Sequence, residues 1–225
     1  MARDCLSPAE KTIYEGFRFE ARQKSWLAGR FTAKHLVSQV HHAAYRPDQI
    51  TIRNNDLGAP CAYYADQPLP GCLSISHSGD WAAAAFTPQR LRVGIDLEKI
   101  THRSDAFIQD YFTEQEVIMV SSALTGSPPG TPRSAEQATL IWSAKEALLK
   151  GLGIGLRLDT RQVEVIAIED EEDREGWKRL EIRSAQVKES LAAYWRSIDG
   201  YLLTLVALMD VANTIDLLQV NCTGS

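Results

Sequence analysis

Residues 94 to 100 read Gly94-Ile95-Asp96-Leu97-Glu98-Lys99-Ile100, with Val93 just ahead of them. Val93, Ile95 and Leu97 are apolar at every second place, which predicts a strand with one face in a core. The other face then carries Asp96 and Glu98 side by side. Two carboxylates at that range repel, so a strand gains nothing from holding both. One reading is a solvated edge. The other is a site for a divalent cation, since hard cations such as Mg²⁺ take carboxylate oxygens alongside substrate phosphates. The rest of the chain has to decide between them.

The 225 residues are 44% hydrophobic and 24% charged, an ordinary globular composition for one large domain or two small halves sharing a core. No apolar run approaches the roughly 20 residues that span a bilayer. The opening "MARDCLSPAEK" lacks the apolar stretch of a secretory signal. Cys5, Cys61, Cys72 and Cys222 are scattered, with no C-x-x-C pair. That argues against a structural zinc site or a disulfide framework, and for reduced thiols in a cytoplasmic protein. Net charge is −5 but unevenly spread: up to Arg53 there are nine Lys or Arg against five acids. A basic segment on an acidic protein argues against general nucleic-acid binding. It suits one small anionic ligand or one acidic partner surface.

"LSPAEK" opens with a helix-start signal, Ser7 as cap, Pro8 first in the helix and Glu10 three after the cap, and predicts a helix from Pro8 to Glu20. "RQKSWLAGRFTAKHLVSQVHH" predicts a second helix, with His41 and His42 on the surface. Short strands follow in "DQITIR", Cys72–Ser76 and Trp81–Phe86, with the turn-rich "NNDLGAP" between the first two. Beyond Asp96 and Glu98, Thr113-Glu114-Gln115-Glu116 forms a second capping box. Thr125 to Gln137, rich in Gly, Pro and Ser, is expected to be a loop. "ATLIWSAKEALLKGLG" is a strong helix expected to stop at Gly151. "RQVEVIAI", "RLEIRSA" and a hairpin turning at Asp199-Gly200 complete the pattern, with Trp177, Trp195 and Tyr201 as packing residues. Helices precede strands in both halves and no βαβα alternation occurs, so the fold class is α+β with a loosely duplicated layout. The boundaries drawn are 1–103 for the N-terminal half, 104–212 for the C-terminal half and 213–225 for a tail.

Glu146 and Lys150 are four apart, hence on one helix face, a spacing shared with any surface ion pair. Ser76 and His77 end a strand, where a hydrogen-bonded turn residue is the ordinary finding. Taken together, "SISHSGDW", "GIDLEKI" and "WSAKEALLKGLGIGL", in that order, resemble the phosphopantetheinyl transferases of the surfactin-synthetase-associated type. That family carries G-[IV]-D-x-E on a strand and W-[ST]-x-K-E-[AS]-x-x-K on a helix. The resemblance extends more weakly over Leu6 to Met209.

The resemblance implies a pseudo-twofold α+β architecture of two similar halves with the active site between them. It implies an enzyme that transfers the 4'-phosphopantetheine group of coenzyme A to a serine of an acyl or peptidyl carrier protein, in fatty acid, polyketide or nonribosomal peptide biosynthesis. Adenosine 3',5'-bisphosphate leaves. By the same resemblance Asp96, Glu98 and Glu146 match the ligands of a Mg²⁺ ion, and Ser76, His77 and Lys150 match contacts to coenzyme A phosphates. Arg53, Gly58 and Pro60 match the loop under the adenine. Asp96, Glu146 and Lys150 are the catalytic candidates, with Glu146 or a metal-bound water as base and Glu116 in a supporting role. The chain departs from the pattern at Ile13 and Ala59, where the family often has basic residues. A monomer is expected, with no nucleic acid and no membrane. The carrier is expected to dock near Thr125–Gln137 on Met119, Val120 and Leu124. Two other functions use the same acids differently: another Mg²⁺-dependent nucleotide phosphoryl-transfer enzyme, or a non-catalytic module that binds coenzyme A or a carrier.

Overall fold

A computed structural model of the chain describes residues 2–88, 91–122, 132–209 and 219–224. The order is α1 (Pro8–Glu15), α2 (Glu20–Val40), β1 (Ile50–Asn54), β2 (Pro60–Tyr64), β3 (Gln67–Pro68), β4 (Cys72–Ser78), β5 (Trp81–Thr87) and β6 (Arg92–Lys99). Then come α3 (Asp105–Tyr111), α4 (Glu114–Ser122), α5 (Pro132–Leu152), β7 (Val163–Glu172), β8 (Lys178–Ser184), β9 (Ser190–Ile198), β10 (Tyr201–Met209) and β11 (Gln219–Gly224). Sheets run β1-β2-β3, β6-β10-β9-β8-β7 and β11-β5-β4, every pairing antiparallel. The α+β class read from the pattern is the class observed.

Three apolar clusters set the layers. Ala33, Leu36 and Val37 of α2 pack with Leu73, Ala84 and Phe86. The alternate residues of β5, Ala83 and Ala85, face the other way and pack with Val93, Ile95, Leu97, Leu203 and Leu205. On the far side of that second sheet Leu202, Val206 and Leu208 meet Ala144, Ala147 and Leu148 of α5. The period-two pattern of β5, β6 and β10 is therefore a pair of buried faces, not one buried and one wet. Gly94, Asp96 and Glu98 fall on the face toward α5.

At Gly94 strand and helix almost touch. A Cβ there would lie 1.9 Å from the Ala147 carbonyl oxygen and 2.5 Å from the Gly151 nitrogen, so only glycine fits. Gly151 is thus a contact residue and not the helix stop. The helix runs on to Leu152 and ends at Gly153, whose φ of 71° is the left-handed cap that favours glycine. Two further boundaries differ from expectation. α1 stops at Glu15, because the Gly16 N–H turns back to the Thr12 and Ile13 carbonyls. Residues 132 to 137 of the expected loop are the first turns of α5, and the rest of that loop lies outside the described residues. The Asp199-Gly200 hairpin has φ of 47° and 80°, the positive pair that its two-residue turn requires.

β4 and β6 run side by side in the same direction and are joined by side chains. The N–H groups of Ile95, Leu97 and Lys99 donate to the hydroxyls of Ser74, Ser76 and Ser78 at 3.0, 3.2 and 3.2 Å. The Val93 N–H donates to Cys72 Sγ at 3.5 Å.

Each half also holds one buried glutamate–lysine pair built the same way. Glu10, in the Ser7 capping box, accepts from the Ser7 and Ile52 N–H groups, both at 3.0 Å, and pairs with Lys34 of α2. Glu116, in the Thr113 capping box, accepts from the Thr113 and Val165 N–H groups, both at 2.8 Å, and pairs with Lys145 of α5 at 2.8 Å. Box, long helix and first strand of the following sheet recur in the same order. That repetition supports the duplicated layout. All four side chains are essentially without solvent contact. Burial pushes both lysines down, and the paired glutamates oppose it. Glu116, expected in a supporting role, is committed to this pair.

Removing one partner leaves a buried charge uncompensated, which costs about 3–5 kcal/mol. Lys145→Met should lose that much stability in chemical denaturation, and Glu116→Gln with Lys145→Met should recover part of it. A loss of only ~0–1 kcal/mol, as for an exposed pair, would show that Glu116 relaxes to solvent.

Candidate functional site

The face of β6 opposite the inter-sheet core, the end of β4 and one face of α5 meet at Asp96. Residues 143, 146 and 150 of α5 share that face because they are three and four apart. Asp96 is only 3% exposed, so the solvated-edge reading of the acidic strand does not hold for it.

Its carboxylate is tied at both oxygens. Oδ1 accepts from Ser76 Oγ at 2.9 Å and from Lys150 Nζ at 2.7 Å. Oδ2 accepts from Ser143 Oγ at 2.8 Å. The Lys150 ammonium also donates to Ser76 Oγ at 2.9 Å. Of the residues singled out in the sequence, Ser76, Asp96 and Lys150 are therefore in direct contact.

Glu98 and Glu146 border this contact. Glu98 Oε2 accepts from Arg103 Nη2 at 3.0 Å. Burial, and then the charge of Asp96, push its carboxyl up, while Arg103 and a hydrogen bond from Trp142 pull it down. Glu146 is pushed up by burial and by Asp96 and Glu98, with Lys150 opposing. Its Oε1 is buried and has no hydrogen-bond partner. A buried carboxylate oxygen without a partner, beside two other acids, is the donor set that a hard cation satisfies. Among the described residues no three His, Cys, Asp or Glu side chains are drawn close enough to hold an ion as they stand. Asp96 and Glu98 are engaged by Lys150 and Arg103 instead.

His77 follows Ser76 and is exposed, and partial desolvation with the charges of Arg22 and Lys150 lowers its imidazole. The charges of Arg22 and Lys150 act together at His77, which favours anions there. Arg53, Gly58 and Pro60 belong to another element, the β1–β2 hairpin. Asn55 Oδ1 caps its turn by accepting from the Leu57 and Ala59 N–H groups, and Gly58 supplies a φ of 89°. Arg53 is held by Asp66 and lies 5.1 Å over the Tyr63 ring.

Three aromatic side chains stand beside Glu98: Phe107, Tyr111 and Trp142, with centroids 4.8 to 5.3 Å apart. Of the apolar residues expected on a docking face, Val120 is in the core, Met119 packs against it, and Leu124 lies outside the described residues. Ile118, 56% exposed, is the outward residue of α4. His41, expected on the surface, is half-buried between Tyr45 and Phe86. Trp195 and Tyr201 are buried as expected. Among the described residues no helix is long and apolar enough to cross a membrane.

The sequence reading missed Ser143 and Thr204. Ser143 Oγ lies 2.7 Å from Thr204 Oγ1, and both residues are fully buried. The available signal was a single hydroxyl in the apolar run Leu202–Met209.

Comparison with known proteins gives the family that the chain resembles. The family model described as the 4'-phosphopantetheinyl transferase superfamily matches residues 92–206, from β6 into β10. A phosphopantetheinyl transferase of Thraustochytrium sp. is 30% identical over 161 residues, 67% of this chain and 54% of that protein. The 4'-phosphopantetheinyl transferase Sfp of Bacillus subtilis is 32% identical over 133 residues, 57% of this chain and 54% of that protein. The chain spans about half the length of the curated relatives it matches. Among solved structures, a holo-(acyl-carrier-protein) synthase from Bacillus anthracis in complex with CoA (3',5'-ADP) aligns with a TM-score of 0.41 and 19% identity, covering 52% of this chain and 95% of that one.

The raised carboxyl of Glu146 has a sign that can be tested. A carboxyl raised in the fold contributes most below its unfolded value of 4.5 and loses that contribution as pH climbs through the folded value. At neutral pH the ionised Glu146 therefore weakens the fold. Glu146→Gln should melt above the wild type at pH 7 in metal-free buffer, with the gap closing as pH falls toward 4.5. A variant that melts lower at pH 7 would show that a counter-charge already satisfies the carboxylate.

Proposed function

The chain belongs to the 4'-phosphopantetheinyl transferase superfamily, and we propose that it moves the 4'-phosphopantetheine group of coenzyme A onto a serine of an acyl or peptidyl carrier protein, with release of adenosine 3',5'-bisphosphate. Within the superfamily we assign it to the surfactin-synthetase-associated type. The observation that carries the reading is the meeting of β4, β6 and α5 at Asp96, which brings an ammonium, a hydroxyl and three acids together.

Asp96, Glu98 and Glu146 would hold the Mg²⁺. The bare, buried Oε1 of Glu146 and the mutual repulsion of the three acids are what a cation would relieve. When bound, the ion neutralises the pyrophosphate and makes the bisphosphate a better leaving group. Lys150 places positive charge where the departing phosphate gains negative charge, and Ser76 and His77 orient the phosphates. Arg53, Gly58 and Pro60 form the loop under the adenine. Glu146, beside the metal position, or a metal-bound water would take the proton of the attacking serine. The carrier docks on the outer face of α3 and α4, where Tyr111 and Ile118 present apolar surface. The enzyme acts as a cytoplasmic monomer.

Incubation of an apo carrier protein with coenzyme A and Mg²⁺ should add one phosphopantetheine by intact-mass spectrometry. Cleavage of coenzyme A without a mass change on the carrier would point to another nucleotide phosphoryl-transfer enzyme. A complex without modification would point to a binding module. Lys150→Ala should weaken coenzyme A binding by about 1.5–3 kcal/mol, the size of a charge-assisted contact. Unchanged affinity in calorimetric titration would return Lys150 to a purely structural pairing with Asp96.

A further inference from the structure

Asp96 is fixed by more than Ser76 and Lys150. Thr204 of β10 is its direct cross-strand partner, and every other residue from Leu202 to Leu208 is apolar and buried. An apolar side chain of the same size would fill that place, so the hydroxyl needs a reason. The Thr204 hydroxyl meets Ser143 Oγ at 2.7 Å, and Ser143 donates to Asp96 Oδ2 at 2.8 Å. Ser143 has one proton and commits it to the carboxylate, so Thr204 is the donor in the first bond. Its other acceptor, the Asp96 carbonyl, is at 3.5 Å, the long limit of a hydrogen bond. The result is a one-way relay from β10 through α5 to the carboxylate. Both hydroxyls are wholly buried, where such chains polarise one another and strengthen.

We propose that Ser143 and Thr204 are positioning residues for Asp96: their hydroxyl relay fixes the orientation of the carboxylate that receives the cation. The proposal rests on the reading of Asp96 as a metal ligand. Lys150 and Ser76 hold only Oδ1. With Oδ2 released, the carboxylate is free to turn about its Cβ–Cγ bond and give both oxygens to Lys150, which withdraws them from any other cation. Ser143 prevents that turn, and Thr204 holds the Ser143 hydroxyl in the donating direction.

The test is Mn²⁺ binding followed by electron paramagnetic resonance on the full chain with coenzyme A present, so that turnover is not the readout. Ser143→Ala should weaken Mn²⁺ binding about tenfold, the lower end of what an outer partner of a metal ligand contributes. Ser143→Thr, which keeps the hydroxyl, should stay near wild type. Thr204→Val should weaken binding in the same direction but less. The double variant should fall short of the summed effects, since the two act as one relay. Thermal melts check that each variant is folded, and Thr204→Val with Ser143→Thr keep the test alive if Ser143→Ala is not. If Asp96→Asn abolishes Mn²⁺ binding while folded Ser143→Ala and Thr204→Val bind as wild type, the relay is overturned and the metal reading stands. If Asp96→Asn binds Mn²⁺ like the wild type, the metal reading fails and the relay with it.

Discussion

The approach of β6 to α5 at Gly94 is the constraint on which the rest of the site depends. A helix lying on a sheet is ordinarily held off by the side chains between them. Here the strand has none at residue 94 and the helix has none at 151, so backbone meets backbone. At that separation the short side chain of Ser143 and the long one of Lys150 reach the same carboxylate. A larger residue at 94 would have to push the helix outward, and Ser143, having no length to spare, would lose Asp96 first. The glycine before the acidic strand is therefore a matter of distance more than of backbone freedom.

Burying charge is costly, and the molecule handles it differently in two kinds of place. At Glu10–Lys34, with Arg30 at 3.7 Å, and at Glu116–Lys145 each acid faces a lysine and every glutamate oxygen has a donor. Those pairs tie a capping box, a long helix and a strand start together, and they have no chemistry left over. Around Asp96 the matching is deliberately incomplete, with three acids, one lysine and an arginine, and one glutamate oxygen left bare. The saturated pairs tie each half together, while the cluster around Asp96 retains an unpartnered carboxylate oxygen.

Much of this was readable in the chain. The alternation Val93, Ile95, Leu97 placed Asp96 and Glu98 on a common face, and the capping boxes at Ser7 and Thr113 and the Asp199-Gly200 turn are local signals with local causes. What escaped depends on contacts distant in sequence. Lys145 reads as an exposed helix charge because nothing nearby reveals that Glu116 waits for it. Thr204 reads as a small concession in an apolar strand until its neighbour across the ladder is known to be Asp96. The Ser76–Asp96–Lys150 contact joins three segments that local patterning cannot bring together; only the resemblance of their motifs did so. The stop expected at Gly151 fails for the same reason, since that glycine serves the packing of β6, whereas α1 ends early for a local cause, the return of the Gly16 N–H to the Thr12 and Ile13 carbonyls.

The serine seam between β4 and β6 has a consequence for how the molecule avoids its own kind. One side of β6 pairs with β10, and the N–H groups of Val93, Ile95, Leu97 and Lys99 on the other side would otherwise form a long unpaired edge. Such an edge is a template on which another chain can add a strand. The Cys72, Ser74, Ser76 and Ser78 side chains cover it without extending the ladder, since a hydroxyl can close an amide while offering no backbone of its own to copy. The same serines leave β4 free to keep its ladder with β5. Two sheets are joined by a boundary that neither continues nor exposes the hydrogen-bond pattern, which leaves the acidic strand without a free edge.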